Sequence, residues 1–291
     1  MISIGEIGYL NVYPIYYFLK KELKRTGQQD FLKFVYGTPA FLNKCLDTGT
    51  VDISPSSSFY YIKNYESLLL LPDISISSKK MVKSIYLFSP LQIEALEGQT
   101  VYITPETYTS LYLLKVILAE KYGLNLGKIG FSMLPHNKKF EFNSGFNEME
   151  GKAFLQIGNN ALKFKKYMPQ NYISYDLADL WYKFTSFPFI FALFIIRKDS
   201  YYKKKEEFRV LYKNLIKSKK EALKDFAEAA REALKNKELE FISYDEILDY
   251  WMNCLSFDLN EKNISGFILY CELLRKHRMI ESIPTLNFIE V

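Results

Sequence analysis

Short apolar runs alternate with helix-length amphipathic runs through the first two thirds of the chain, and this rhythm restricts it to the α/β classes. Ile2 to Tyr9 reads as a strand. Pro14 to Lys24 reads as a helix, with proline in its first turn, where the missing N–H costs nothing. Phe31 to Tyr36 is a second strand, and Pro39 to Thr48 a second helix ended by Gly49. Val51 to Ser54 is a short buried strand, after which Pro55-Ser56-Ser57-Ser58 opens a third helix running to Tyr65. Repeats of this kind predict parallel strands joined by crossover helices.

A second series follows. Met81 to Ser89 is a strand, then Thr100 to Ile103 a strand, Thr107 to Tyr122 a helix and Gly130 to Leu134 a strand. Ala153 to Ile157 leads through Gly158-Asn159-Asn160 into a short helix, and Phe189 to Arg197 is an apolar strand. The last third is mostly helical, over Ser200–Lys237, Tyr244–Phe257 and Glu261–Arg275. Two α/β series and a helical C-terminal part predict two lobes with a ligand cleft between them. The first lobe is discontinuous, residues 1–88 and 194–291, and the second is residues 89–193. Met81–Ser89 and Phe189–Arg197 are the expected crossings. A chain of 291 residues, 48% hydrophobic, is long enough to fill both lobes. Asn137 to Gly151 reads as a polar, mobile loop.

Charge narrows the partners. The net charge is +5, from 38 basic and 33 acidic residues, which suits a small anionic ligand and gives no basis for nucleic acid. The lysines at 203–205 run into Glu206-Glu207, and Lys217 to Lys220 into Glu221. With Phe208, Leu211, Leu215, Leu223 and Phe226 recurring between them, they read as solvated faces of two amphipathic helices. Cys45, Cys254 and Cys271 are odd in number and widely spaced, so they predict no disulfide framework and a reducing compartment. Phe187 to Ile196 is too short to span a bilayer, and no leader-like segment precedes Ile2. The expectation is a cytoplasmic protein with no membrane partner. Neither G-x-x-x-x-G-K nor G-x-G-x-x-G occurs, and His136 and His277 stand apart from any metal-spaced cluster, so no cofactor and no metal are expected.

Four segments share one design, a strand followed by a small polar cluster and a helix start. They are Leu10-Asn11-Val12-Tyr13-Pro14, Pro55-Ser56-Ser57-Ser58, Thr107-Tyr108-Thr109-Ser110 and Gly158-Asn159-Asn160. Each helix start offers unpaired N–H groups and the positive end of a dipole. If two or more converge across a cleft, they form a site for a carboxylate or phosphate. Helix capping alone explains each segment singly, and Asn11 alone reads first as a turn residue and second as a ligand contact. Asp52 reads equally as a cap partner. No protein base is evident, so an enzyme built on these residues relies on positioning and electrostatics, with a substrate group moving the proton.

The same residues lie in motifs that resemble the chorismate dehydratases of the futalosine route to menaquinone. The carrying stretches are Gly8-Tyr9-Leu10-Asn11 with Pro14, the run from Gly49 to Ser58, and Leu71-Pro72-Asp73-Ile74-Ser75-Ile76. Further on they are the run from Val82 to Ser89, Thr109-Ser110, Ile157-Gly158-Asn159-Asn160-Ala161-Leu162, and Tyr175-Asp176-Leu177 through Trp181 to Phe187-Pro188-Phe189. The resemblance implies a two-lobed fold like that of the type II periplasmic binding proteins. It implies a cofactor-independent hydro-lyase that removes water from chorismate to give 3-[(1-carboxyvinyl)oxy]benzoate. It places Asn11 and Ser84 at the catalytic positions, and Ser57, Ser58, Thr109 and Ser110 among the substrate-binding ones, to which the fourth helix start adds Gly158 and Asn159 as expected substrate contacts. Two departures stand out: Tyr60 where the family usually has Glu, and Asn159 where it usually has Asp. The rivals are the sister enzyme, a dihydroxynaphthoate synthase that relies on a histidine, and a non-catalytic small-anion binder on the same fold.

Overall fold

Ile2 and Ile4 are fully buried on the first strand, β1 (Ile2–Ile7), around which the first of two sheets forms. The computed structural model describes residues 1–134 and 150–291. The first sheet also contains β2 (Leu32–Gly37), β3 (Ile53–Ser57), β4 (Leu68–Ser78), β10 (Ile190–Arg197) and β11 (Leu255–Ser256), in the order β11-β4-β10-β3-β1-β2. Strands β1, β2 and β3 are parallel, joined by α1 (Tyr13–Arg25) and α2 (Pro39–Thr48). The second sheet runs β7-β6-β8-β5-β9. Its strands are β5 (Ile85–Ser89), β6 (Thr100–Ile103), β7 (Gly130–Met133), β8 (Ala153–Ile157) and β9 (Ile173–Asp176).

Both sheets are mixed, because β10 runs antiparallel to β3 and β4, and β5 antiparallel to β8 and β9. The chain leaves the first sheet after Ser78 and returns to it at Ile190, through α6 (Leu177–Thr185). The two strands expected as crossings therefore each belong to one sheet, and the passages run through 79–84 and 177–189.

Several elements differ from the sequence reading. Pro55 does not open a helix: it lies inside β3 opposite Phe194, and the serine run continues the strand to Ser57 before α3 (Ser58–Asn64) starts. The β1 side of β3 is paired only at Ile53, the condition under which a strand accepts proline. Strand β4 was not among the expected elements, and Pro72-Asp73 falls inside it. In the fold Asp73 adopts φ 63° and the register with β10 shifts nearby, so the pair marks a bulge within one long strand. Met81–Ser89 shortens to Ile85–Ser89, because Lys83 takes φ 55° just ahead of it.

The C-terminal helices are α7 (Lys198–Lys203), α8 (Lys205–Lys224), α9 (Phe226–Ala233), α10 (Tyr244–Asp249) and α11 (Glu261–Lys276). Helices α8 and α9 pack on α1, burying Phe208, Leu211, Leu215 and Phe226, whereas Leu223 is exposed. The run Tyr244–Phe257 is not one helix. After α10 it widens into a π-helical turn, Tyr250–Cys254, and ends in β11. The three cysteines are free and buried. Among the described residues no helix is long and apolar enough to cross a membrane. His136 and most of the predicted polar loop lie outside the described residues.

Candidate active site

The turn from β1 into α1 is held from both sides. Leu10 and Val12 are buried, flanking the partly buried Asn11. The Leu10 N–H donates to Asn159 Oδ1 at 3.1 Å, and the Leu10 carbonyl accepts from Trp251 Nε1 at 2.7 Å. Asn159 Nδ2 also donates to the Gly8 carbonyl at 3.3 Å. The backbone beside Asn11 is thereby fixed, while the Asn11 side-chain amide has no hydrogen-bond partner among the described residues. Asn159 stands at the start of α5 (Gly158–Tyr167), which follows a strand of the second sheet, so its amide ties the two sheets' elements together. That use needs a donor and an acceptor on one side chain. Asparagine has both; an ionised aspartate only accepts.

Gly158 is a second constraint at this junction. Its φ is 67°, and a Cβ there would lie 3.1 Å from the Tyr9 ring. A Gly158→Ala variant is expected to lose about 1–2 kcal/mol of stability, read from urea unfolding. An unchanged midpoint would show that Tyr9 and the backbone adjust freely.

Ser84 sits on the other side of Gly158, whose N–H donates to the Ser84 carbonyl at 2.8 Å. The Ser84 side chain is buried, and its Oγ accepts from the Tyr250 hydroxyl at 2.8 Å. The segment before it is pinned by Asp176. Oδ2 of that carboxylate accepts from the N–H groups of Val82 and Lys83, at 3.0 and 2.7 Å. Oδ1 caps α6, accepting from Ala178 and Asp179 at 2.9 and 3.1 Å. Burial pushes the Asp176 carboxyl up to about 6, against the pull of these N–H groups. Burial likewise raises Tyr250 and Tyr9, the latter with help from Glu106, so both stay protonated phenols.

The remaining predicted residues form a second contact. Thr109 Oγ1, at the start of α4 (Tyr108–Glu120), accepts from the Phe59 N–H of α3 at 3.2 Å. The Phe59 and Tyr112 rings stack beside it with centroids 3.8 Å apart. Ser57 caps α3, accepting from the Tyr60 N–H, so the capping reading holds for it. Ser58 is fully buried, and its hydroxyl, like that of Ser56, has no partner among the described residues. Ser110 is buried one residue beyond Thr109. The four helix starts thus meet in pairs, α1 with α5 and α3 with α4.

Other sequence candidates fall elsewhere. Asp52 binds Ser3 and Lys204. The Tyr60 hydroxyl bonds to Asp47 of α2. His277 caps α11 and bonds to Glu120, at the far end of α4. Among the described residues no three His, Cys, Asp or Glu side chains gather in a metal-holding group. Sequence reasoning missed Tyr250 and Trp251, which look like ordinary helical core residues, and no local signal marks the anchoring role of Asp176.

The model of a family described as menaquinone biosynthesis matches residues 2–276. A chorismate dehydratase from Thermus thermophilus is 29% identical over 213 residues, covering 68% of this chain and 70% of the relative. One from Campylobacter jejuni is 28% identical over 201 residues, with the same coverage. Among solved structures, the ligand-binding component of an ABC-type import system from Staphylococcus aureus superposes with a TM-score of 0.73 at 14% identity, covering 99% of this chain and 96% of that one. The periplasmic aliphatic sulphonate binding protein of Escherichia coli gives 0.65 at 14% identity, with 100% and 94% covered. The fold is thus that of the periplasmic binding proteins.

Proposed function

Because this chain belongs to the menaquinone biosynthesis family, we propose that its site removes water from chorismate to give 3-[(1-carboxyvinyl)oxy]benzoate. The observation that carries this reading is the Asn11 amide, unpartnered among the described residues on a turn whose backbone is held by Asn159 and Trp251. Two relatives named chorismate dehydratase support it. In this reading the two sheets are the cores of two lobes, the chain passes between them at 79–84 and 177–189, and substrate binds between them.

Chorismate carries two carboxylates, and paired helix starts with hydroxyls suit both. The C3–H bond breaks and its electron pair forms the C3–C4 double bond as the C4 hydroxyl leaves. The enolpyruvyl carboxylate of the substrate takes the C3 proton and passes it to the departing hydroxide, which is released as water, so that the carboxylate is restored and the ring becomes aromatic. Asn11 and Ser84 hold the enolpyruvyl side chain over C3 and stabilise the developing charge. Ser57, Ser58, Thr109, Ser110, Gly158 and Asn159 shape the rest of the site, Ser57 and Asn159 through the contacts already described. This division supplies the barrier reduction by orientation and preorganised donors.

Purified protein incubated with chorismate, without added metal or nucleotide, tests the proposal. Loss of one water with appearance of an aromatic enolpyruvyl ether, followed by chromatography and mass, is the expected result. Chorismate returned unchanged by folded protein overturns it and favours the sister substrate or a binding role.

A further inference from the structure

The π-helical turn Tyr250–Cys254 touches both arms of the site. Tyr250 donates to Ser84 Oγ at 2.8 Å, and the next residue, Trp251, donates to the Leu10 carbonyl at 2.7 Å. Consecutive residues of this widened turn thus reach two separate segments, and turns of this kind recur at functional sites. The direction of the Tyr250 bond follows from chemistry. A phenol is the more acidic hydroxyl and the stronger donor, and Ser84 Oγ is its one partner among the described residues. A serine hydroxyl has one proton and two lone pairs. Ser84 spends a lone pair on Tyr250, and its own proton is left for another acceptor.

We propose that Tyr250 is a positioning residue that commits Ser84 to act as a hydrogen-bond donor to a carboxylate of the substrate. The inference rests on the dehydratase reading and deepens it. Tyr250 is buried at 2% exposure and acts through Ser84, while Trp251 holds the Asn11 turn from the same element. One short turn thereby sets the spacing between the two groups that grip the enolpyruvyl side chain.

The test is a cycle of kcat and KM for chorismate over the wild type, Tyr250→Phe, Ser84→Ala and the double variant. Tyr250→Phe keeps the ring and its packing, and is expected to lower kcat about tenfold with KM little changed. In the Ser84→Ala background it is expected to add nothing. Equal losses in both backgrounds overturn the proposal, since independent effects add. Thermal unfolding of all four proteins is followed alongside. Should Tyr250→Phe fail to fold, Ser84→Cys replaces it. The thiol is a weak acceptor for the phenol, so its turnover is expected to fall, and wild-type turnover overturns the proposal. A wild type that leaves chorismate unchanged sinks the dehydratase reading itself, which the additive outcome in an active enzyme does not.

Discussion

Replacing Asn11 with alanine is expected to cut chorismate turnover by about 10²–10³-fold, the usual loss for one preorganised donor. The size of the effect follows from how the residue is held. The Leu10 N–H and carbonyl are engaged by Asn159 and Trp251, and Leu10 and Val12 are buried on either side. The amide thus reaches its working position without paying for order when substrate arrives. Its own hydrogen-bonding groups are unused by the described residues, so alanine removes no contact that the fold needs. The unfolding temperature is expected to stay within about 2 °C of wild type, since a side chain without partners contributes little to stability. Steady-state kinetics with chorismate and a thermal melt check both halves. Unchanged turnover would remove Asn11 from the mechanism, and a large drop in melting temperature would show that it is a structural turn residue.

Much of the strand–helix rhythm was legible because its signals are local. Thr100–Ile103 and Ala153–Ile157 are short apolar runs flanked by polar clusters, and both form strands with those bounds. The breaks that position the site were not legible, since each depends on distant partners. Lys83 takes a left-handed conformation at a passage held by Asp176, 93 residues away. The π-helical turn at Tyr250 satisfies Ser84 and Leu10, which lie 166 and 241 residues upstream of the two aromatic side chains. Asn159 was read as a substrate contact from its place after a strand, and its amide is occupied by Gly8 and Leu10. Composition and periodicity mark where helices begin. They do not tell which polar groups the fold itself consumes.

Asp176→Asn tests how the Ser84 segment is held, and is expected to cost about 2 kcal/mol at neutral pH, the order of a lost buried acceptor. The carboxylate accepts four main-chain N–H groups, two from Val82 and Lys83 and two from the first turn of α6. An amide offers one oxygen, so whichever way it turns, its NH₂ faces one pair of donors. Relief of a buried charge offsets part of that loss. The pH dependence separates the two contributions. The folded carboxyl titrates at about 6, above the ~3.9 of an unfolded chain. Between these values the folded protein holds a proton that the unfolded chain has lost, so Asp176's contribution to stability falls as pH rises. The stability gap between wild type and variant is therefore expected to be widest near pH 4, to narrow up to about pH 6 and then to stay flat. Urea unfolding of both proteins across this range measures it. A gap that widens with pH would mean that the four N–H groups outweigh burial and that Asp176 is held as the anion, making it a stronger anchor for Lys83 and Ser84 at neutral pH than its burial implies.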